Sequence, residues 1–247
     1  MPRRFFITPE TINADTATLE GPEAHHVLNV LRLKKGALIE LFDGTGNLYQ
    51  AEITATGRGK ISLTIVSTAS IPRKRPELHL APALLKGKKL EIVLQKAVEL
   101  GVTGLYPFYS IHSDRQPAKN NKGNTPGDRW QRIVLEACKQ CGQTILPDLS
   151  EPVSFPELLR KTSQYSHTLL CYEREKTQKI GDISVLLGSA KAILLITGPE
   201  GGFSENEIAS ARQHQCTTVS LGPLTLRAET AALVAMAIVQ HHLGTLG

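Results

Sequence analysis

Over the first seventy residues, short runs of alternating apolar and polar positions carry the period-two signature of half-buried strands. Arg4–Thr8, Leu38–Asp43, Tyr49–Thr56 and Lys60–Val66 are the predicted strands. Asp43-Gly44-Thr45-Gly46 and Gly57-Arg58-Gly59 supply turns between them. One helical insertion, Pro22 to Leu31, opens with proline in its first turn. The pattern predicts a small β-barrel.

Beyond Ile71-Pro72-Arg73-Lys74-Arg75-Pro76-Glu77, a linker with two prolines around three cations, the rhythm changes to strand, helix, strand. Leu78–Leu84 reads as a strand and Lys88–Leu100 as a helix, with Leu90, Val93, Leu94 and Ala97 on one stripe and Gly101 closing it. Val102–Tyr109 returns as a strand. Asp128 opens a helix with the stripe Trp130, Ile133, Val134, Ala137 and Cys141. Leu169–Tyr172, Ile193–Thr197 and Thr217–Leu221 are further strands, and Ala228–Leu243 is a long apolar helix stopped by Gly244. Such alternation predicts an α/β fold, a mostly parallel sheet with helices on both faces. Residues 113–127, polar and rich in Pro, Gly and cations, form a long loop inside it.

Chemistry concentrates in residues 194–231. The strand ending at Thr197 runs into Gly198-Pro199-Glu200-Gly201-Gly202, and Ser204 with Glu207 forms the capping box of a following helix. The strand ending at Leu221 runs into Gly222-Pro223, then Leu226, Arg227, Glu229 and Thr230 at the mouth of the last helix. Two glycine-rich loops at strand ends are how such a sheet builds a ligand pocket. Phosphate-loop and dinucleotide fingerprints are absent, which excludes nucleotide kinases and dehydrogenases. Glu200 disfavours a phosphate ligand and suits a neutral or cationic one; S-adenosylmethionine, with a ribose, an adenine edge and a positive centre, fits. Arg227 and Glu229 sit between apolar segments, so a guanidinium and a carboxylate there must pair with each other or serve a ligand.

Composition refines this picture modestly. The 247 residues are 41% hydrophobic and 21% charged, ordinary for a soluble globular protein. No apolar run approaches a membrane span, and MPRRFFITPE lacks the apolar core of a signal peptide, so the cytoplasm is expected. Cys138, Cys141, Cys171 and Cys216 offer neither a zinc ligand set nor a redox pair at a helix start, and read as ordinary thiols with no metal. The net charge of +5 points to an anionic partner, with Arg3, Arg4, His25, His26, Arg32, Lys34 and Lys35 as a candidate RNA-binding face. The competing reading of that face is a plain solvated surface.

Taken together, GPEGGFSENEI, VSLGPLTLRAETA, LQKAVELGV, RWQRIVLEACKQCG and AHHVLNVLR resemble the RsmE family, bacterial 16S rRNA (uracil-N3)-methyltransferases of the SPOUT superfamily. The resemblance runs almost end to end. It implies a PUA-like RNA-binding β-barrel over residues 1–72, a trefoil-knotted SPOUT methyltransferase domain over 73–247, and a homodimer formed through the latter. It implies S-adenosylmethionine as cofactor and 16S ribosomal RNA, within the small subunit, as partner. By position it places the cofactor on Leu170, Cys171 and Tyr172, on Thr197, Gly198, Pro199, Glu200, Gly201 and Gly202, and on Leu221, Gly222, Leu226 and Thr230. Arg227 and Glu229 are the catalytic candidates: Arg227 would stabilise charge on the uracil oxygens, and Glu229 would orient it or accept the N3 proton.

Against the family's LGPRILRTETA, Leu224 stands for an Arg, Thr225 for a branched aliphatic residue and Ala228 for a Thr; Lys139 and Gln143 depart likewise from a Glu and an Arg. These departures bear on the RNA more than on the cofactor loops. They keep open a non-catalytic RNA-binding protein and a SPOUT methyltransferase acting at another RNA site.

Overall fold

The computed structural model describes residues 4–73, 76–113, 126–183 and 190–246, so Arg3, Lys74, Arg75 and most of the 113–127 loop lie outside the described residues. The chain forms two compact units. One comprises Met1–Arg73 with Cys138–Leu146, the other Lys74–Ala137 with Pro147–Gly247.

The first unit is a curled six-stranded sheet. Its strands are β1 (Arg4–Phe6), β2 (Ile12–Asn13), β3 (Thr16–Glu20), β4 (Leu38–Phe42), β5 (Asn47–Thr56) and β6 (Lys60–Ser70), in the order β1-β4-β5-β6-β3-β2. Only the β1–β4 pair is parallel. Helix α1 (Gly21–His25) follows β3. Alternate side chains, among them Phe5, Ile7, Leu41, Ile53, Ile61 and Leu63, fill a single core. The helix expected over 22–31 is present over Gly21–Val30 but changes type midway. α1 passes into a π-helical turn, His26–Val30, closed by a bond from Leu31 N–H to His26 O at 3.0 Å and ended by Arg32 at φ +52°. Strands β2 and β3 escape the sequence reading because two-residue and Thr-rich segments carry little periodic signal.

In the second unit the strands are β7 (Glu77–Pro82), β8 (Gly104–Leu105), β10 (Asp148–Leu149), β12 (His167–Cys171), β13 (Ala192–Thr197) and β14 (Thr217–Val219), with β9 (Phe108–Tyr109) and β11 (Val153–Ser154) as a separate pair. The sheet order is β10-β8-β7-β13-β12-β14, and every pairing in it is parallel. The helices are α2 (Lys89–Glu99), α3 (Pro126–Cys141, whose residues from Cys138 on belong to the first unit), α4 (Phe155–Arg160), α5 (Glu205–Gln213) and α6 (Ala228–His242). On β13, Leu194 and Ile196 pack into a cluster with Phe155, Leu158 and Ile208 of α4 and α5. Ile193 and Leu195, pointing to the other face, are equally buried, and α6 contacts both β13 and β7. Burial on both faces explains the unbroken apolar run, and each such side chain contributes about 2 kcal/mol.

Two expectations change. Val102–Tyr109 is not one strand: Pro107, with no N–H for the ladder, separates β8 in the main sheet from β9 in the small one. The buried stripe of α3 runs through Val134, Ala137 and Cys138, while Cys141 is exposed. Among the described residues no helix is long and apolar enough to cross a membrane.

Candidate active site

Three strands of the parallel sheet end in loops that converge. β12 leads into Tyr172 and Glu173, β13 into Gly198–Phe203, and β14 into Ser220–Arg227. With Lys89 of α2 and Ala228 and Ala231 of α6 they enclose a cleft of about 720 Å³. It lies beyond the carboxyl ends of the strands, where open α/β sheets hold ligands.

The glycine loop is built around Phe203. That ring is 5% exposed and packs against Phe108 and Phe155, with centroids 6.3 and 5.4 Å away. A Cβ on Gly198 would lie 2.8 Å from the same ring. Gly202 takes φ +70°, a left-handed conformation that closes the turn by a bond from its N–H to Pro199 O at 3.0 Å. The expected capping box follows: Glu207 N–H donates to Ser204 Oγ at 3.3 Å and Ser204 N–H to Glu207 Oε2 at 2.9 Å. Glu207 Oε1 also accepts from Ser110 Oγ at 2.8 Å and Ile111 N–H at 3.0 Å, and His112 Nδ1 lies 3.1 Å from Gly202 O. One carboxylate therefore starts α5 and holds the segment after β9 beside the glycine loop. Burial raises the Glu207 carboxyl, but these donors outweigh it and hold the group below the usual range.

The loop after β12 is fastened to β14 by Glu175. It accepts from Thr177 Oγ1 and Thr218 Oγ1, both at 2.6 Å, and from Thr177 N–H at 2.9 Å. These donors, the Thr177 hydroxyl first, lower its pKa to about 2.

Most of the sequence-predicted cofactor residues border the cleft: Cys171, Tyr172, Gly198, Pro199, Glu200, Gly201, Gly202, Leu221, Gly222 and Leu226. Leu170 and Thr197 lie within their strands, 0% and 2% exposed, one step behind the loops. Thr230 is exposed on the first turn of α6. Arg227 lines the cleft as the N-cap residue of α6 but is exposed, where the apolar neighbours in sequence predicted burial. The extended stretch before α6 carries its side chain outward.

The anticipated Arg227–Glu229 pair is not formed among the described residues. Glu229 faces Lys89 instead, with Nζ 3.9 Å from Oε2, and that oxygen is buried with no hydrogen-bond donor. Lys89 Nζ also reaches Glu200 Oε1 at 3.0 Å, and Lys86 N–H donates to the same oxygen at 3.2 Å. For Glu200, burial raises the pKa, while its own amide, the Lys89 ammonium and the Lys86 amide lower it further. Lys89 and Glu173, both lining the cleft, were not identified from sequence because neither belongs to a glycine motif. Burial pushes the Cys171 thiol beside the cleft up to about 12, so it is no nucleophile at neutral pH.

The basic residues of the first unit divide. Arg4 is turned onto Glu40, with side chains 14% and 10% exposed. His26 packs edge-on against Phe5 at 5.8 Å. His25, Arg32 and Lys34 are exposed. Among the departures, Leu224 and Thr225 border the cleft, Lys139 bonds Glu23 at 2.8 Å, and Gln143 Nε2 donates to Ile145 O at 3.0 Å.

Comparison with known proteins agrees with this geometry. Residues 72–240 match the family described as RNA methyltransferase domain, and residues 19–66 the RNA methyltransferase PUA domain. Ribosomal RNA small subunit methyltransferase E of Bacillus subtilis is 30% identical, with 97% of this chain and 96% of that protein covered. Its namesake from Synechocystis is 34% identical over 96% of this chain and 77% of that protein. A crystal structure of the Neisseria gonorrhoeae enzyme of that name, bound to S-adenosyl methionine, superposes with a TM-score of 0.84 at 32% identity, covering 98% and 97% of the two chains. A match to the methyltransferase family over most of the chain, with relatives aligned nearly end to end, means that this chain belongs to the ribosomal RNA small subunit methyltransferase E family.

Proposed function

We propose that this protein uses S-adenosylmethionine to methylate N3 of a uridine in 16S ribosomal RNA, working in the cytoplasm on the small ribosomal subunit. The observation that carries the reading is the convergence of the three strand-end loops on one cleft with Arg227 at its edge. The cleft fits the cofactor. Glu173 supplies a carboxylate for a cationic ligand, and Gly222 at φ +125° has open space beside its backbone.

Bound in the cleft, S-adenosylmethionine would supply an electrophilic methyl group, and this chain's residues would have to take up the uracil N3 proton and the charge left on the ring. Exposed and unpaired among the described residues, Arg227 is free to meet the negative charge that develops on the uracil oxygens. Glu229 on the first turn of α6, whose Oε2 lies 3.9 Å from Lys89 Nζ, is the candidate acceptor of the proton. Because N3 is hidden in a base pair, the target uridine is single-stranded or flipped. His25, Arg32 and Lys34 contact phosphates from the PUA-like unit without reading sequence.

The finer architecture belongs to the same proposal. β13 inserts between β7 and β12, β14 returns to the far side of β12, and α6 comes back onto β7 and β13. Between them, Ser220 exchanges backbone bonds with Gln178 and Ile180, at 2.8 and 3.0 Å. A trefoil knot threaded through these strands is part of the proposal. Exposed Ile92 on α2 and half-buried Leu233, Val234 and Ile238 on α6 offer an apolar surface for a homodimer.

Calorimetric titration with S-adenosylmethionine, beside NADH and ATP, tests the cofactor. Nucleoside mass spectrometry of 16S ribosomal RNA incubated with protein and cofactor tests the product. The expected results are selective micromolar binding and 3-methyluridine. Absence of binding would leave an RNA-binding protein and remove the roles given to Arg227 and Glu229.

A further inference from the structure

The turn from β7 into α2 reads Lys86-Gly87-Lys88-Lys89 and breaks two local rules. Lys88 occupies the N-cap position of α2, where Ser, Thr, Asp or Asn would supply an acceptor, and makes no cap hydrogen bond. Three ammonium groups also stand at the positive end of the helix dipole, where cations are disfavoured. Departures of this kind concentrate where function requires them.

The three lysines are not equivalent. Lys89 is committed inward, to Glu200 at 3.0 Å and towards Glu229 at 3.9 Å. Lys86 lends its backbone N–H to Glu200, which fastens the turn to the glycine loop. The side chains of Lys86 and Lys88 are exposed and have no ion-pair partner among the described residues. Other charges of α2 are paired: Glu91 with Arg129 at 2.7 Å and Lys96 with Glu99 at 2.8 Å. Arg227, exposed and unpaired, borders the same cleft that Lys89 lines. Free cations therefore stand at the cleft's rim, while the inner carboxylate Glu200 has its own counter-ion.

We propose that Lys86 and Lys88 form a phosphate-docking rim on the methyltransferase unit, holding the backbone of the substrate RNA beside the target nucleotide. The inference rests on the methyltransferase reading above and adds a contact outside the PUA-like unit. Two ammonium groups on an open turn act as point charges; they position a polyanion without selecting its sequence.

The test compares wild-type protein with Lys86→Glu/Lys88→Glu and with Lys86→Gln/Lys88→Ser, the latter placing a good capping residue at the start of α2. Anisotropy titrations with a uridine-containing single-stranded RNA, at several salt concentrations, run beside calorimetry with S-adenosylmethionine. Charge reversal is expected to weaken RNA binding about tenfold near 0.1 M salt and to flatten the salt slope by roughly 0.7 for each lysine lost. Cofactor affinity should stay within about twofold of wild type, since neither side chain lines the cleft. The Gln/Ser variant should melt no lower than wild type yet bind RNA less tightly, separating docking from folding. Unchanged RNA affinity and salt slope with intact cofactor binding would overturn the rim alone. Failure of the wild-type protein to bind the cofactor would overturn the methyltransferase reading and the rim with it.

Discussion

In the N-terminal unit, buried cations are turned onto carboxylates of the same unit: Arg4 onto Glu40 and Lys139 onto Glu23. Around the cleft of the parallel sheet the arrangement is reversed. Glu200 has Lys89, but Arg227, Lys86 and Lys88 have no carboxylate partner among the described residues. The first pattern closes a fold, because a buried charge must be paired to be tolerated. The second leaves charge available, and unpaired cations at a cleft edge stay stable only because they are hydrated until an anion replaces the water. The same residue types thus mark structure where a carboxylate meets them and recognition where none does.

Arg227 should give the largest effect if that contrast holds. Arg227→Ala is expected to lower the rate of methyl transfer about 10²- to 10³-fold, the usual cost of losing one preorganised charge-stabilising group. Cofactor affinity by calorimetry should change little, and the melting temperature should hold. A collapse of cofactor binding would make Arg227 a binding residue instead.

Arg4 is the counterpart in the other unit. Arg4→Ala leaves Glu40 nearly buried, at 8% exposure, with its charged partner gone. The expected loss is about 3 kcal/mol of stability, read by urea unfolding, because the uncompensated carboxylate is worse than no pair at all. RNA affinity measured well below the melting transition should be unaffected. Weakened binding with unchanged stability would return Arg4 to the RNA face that the sequence suggested.

This division was only partly legible beforehand. Long helices with an apolar face packed on the sheet were readable almost to the residue: helix Lys88–Leu100 is α2 (Lys89–Glu99), and Ala228–Leu243 is α6 (Ala228–His242). Their repeat patterns are set by packing against a sheet, which leaves an imprint on every turn. The glycine loops were readable too, because the left-handed turns at Gly202 and Gly222 favour glycine. Partners were not. Nothing in the spacing says that Lys89, more than a hundred residues from Glu200, is its counter-ion, or that Glu229 faces Lys89 rather than Arg227. Such pairs are set by how the strands are ordered, and the insertion of β13 between β7 and β12 has no local signal.

Glu175 tests how tightly the cleft is held from behind. Its folded pKa of about 2 lies below the ordinary glutamate value, so its contribution is fully present above about pH 4.3 and is lost as pH falls through about 2. Its hydrogen bonds to Thr177 lie at the surface, so solvent weakens the effect. Glu175→Gln should cost on the order of 2 kcal/mol at pH 7. The gap from wild type should narrow in melts run from pH 4 down to pH 2.5. A gap constant with pH would assign the loss to shape rather than charge.

The smallest effect belongs to Lys60 and Glu20, and it sharpens the comparison from within the first unit. Their ends meet at 2.7 Å, as close as Lys139 and Glu23, but the side chains are 65% and 47% exposed. Water already solvates both charges there, and holding two long side chains in one geometry offsets most of the Coulomb gain. Lys60→Gln should therefore change stability by less than about 0.5 kcal/mol, and less still at high salt. Lys139, 10% exposed against Glu23 at 14%, has no such refuge, and Lys139→Gln should cost several times more in the same urea titration. Equal losses at the two sites would mean that burial is not what separates structural from available charge, and the contrast between the two units would lose its physical basis.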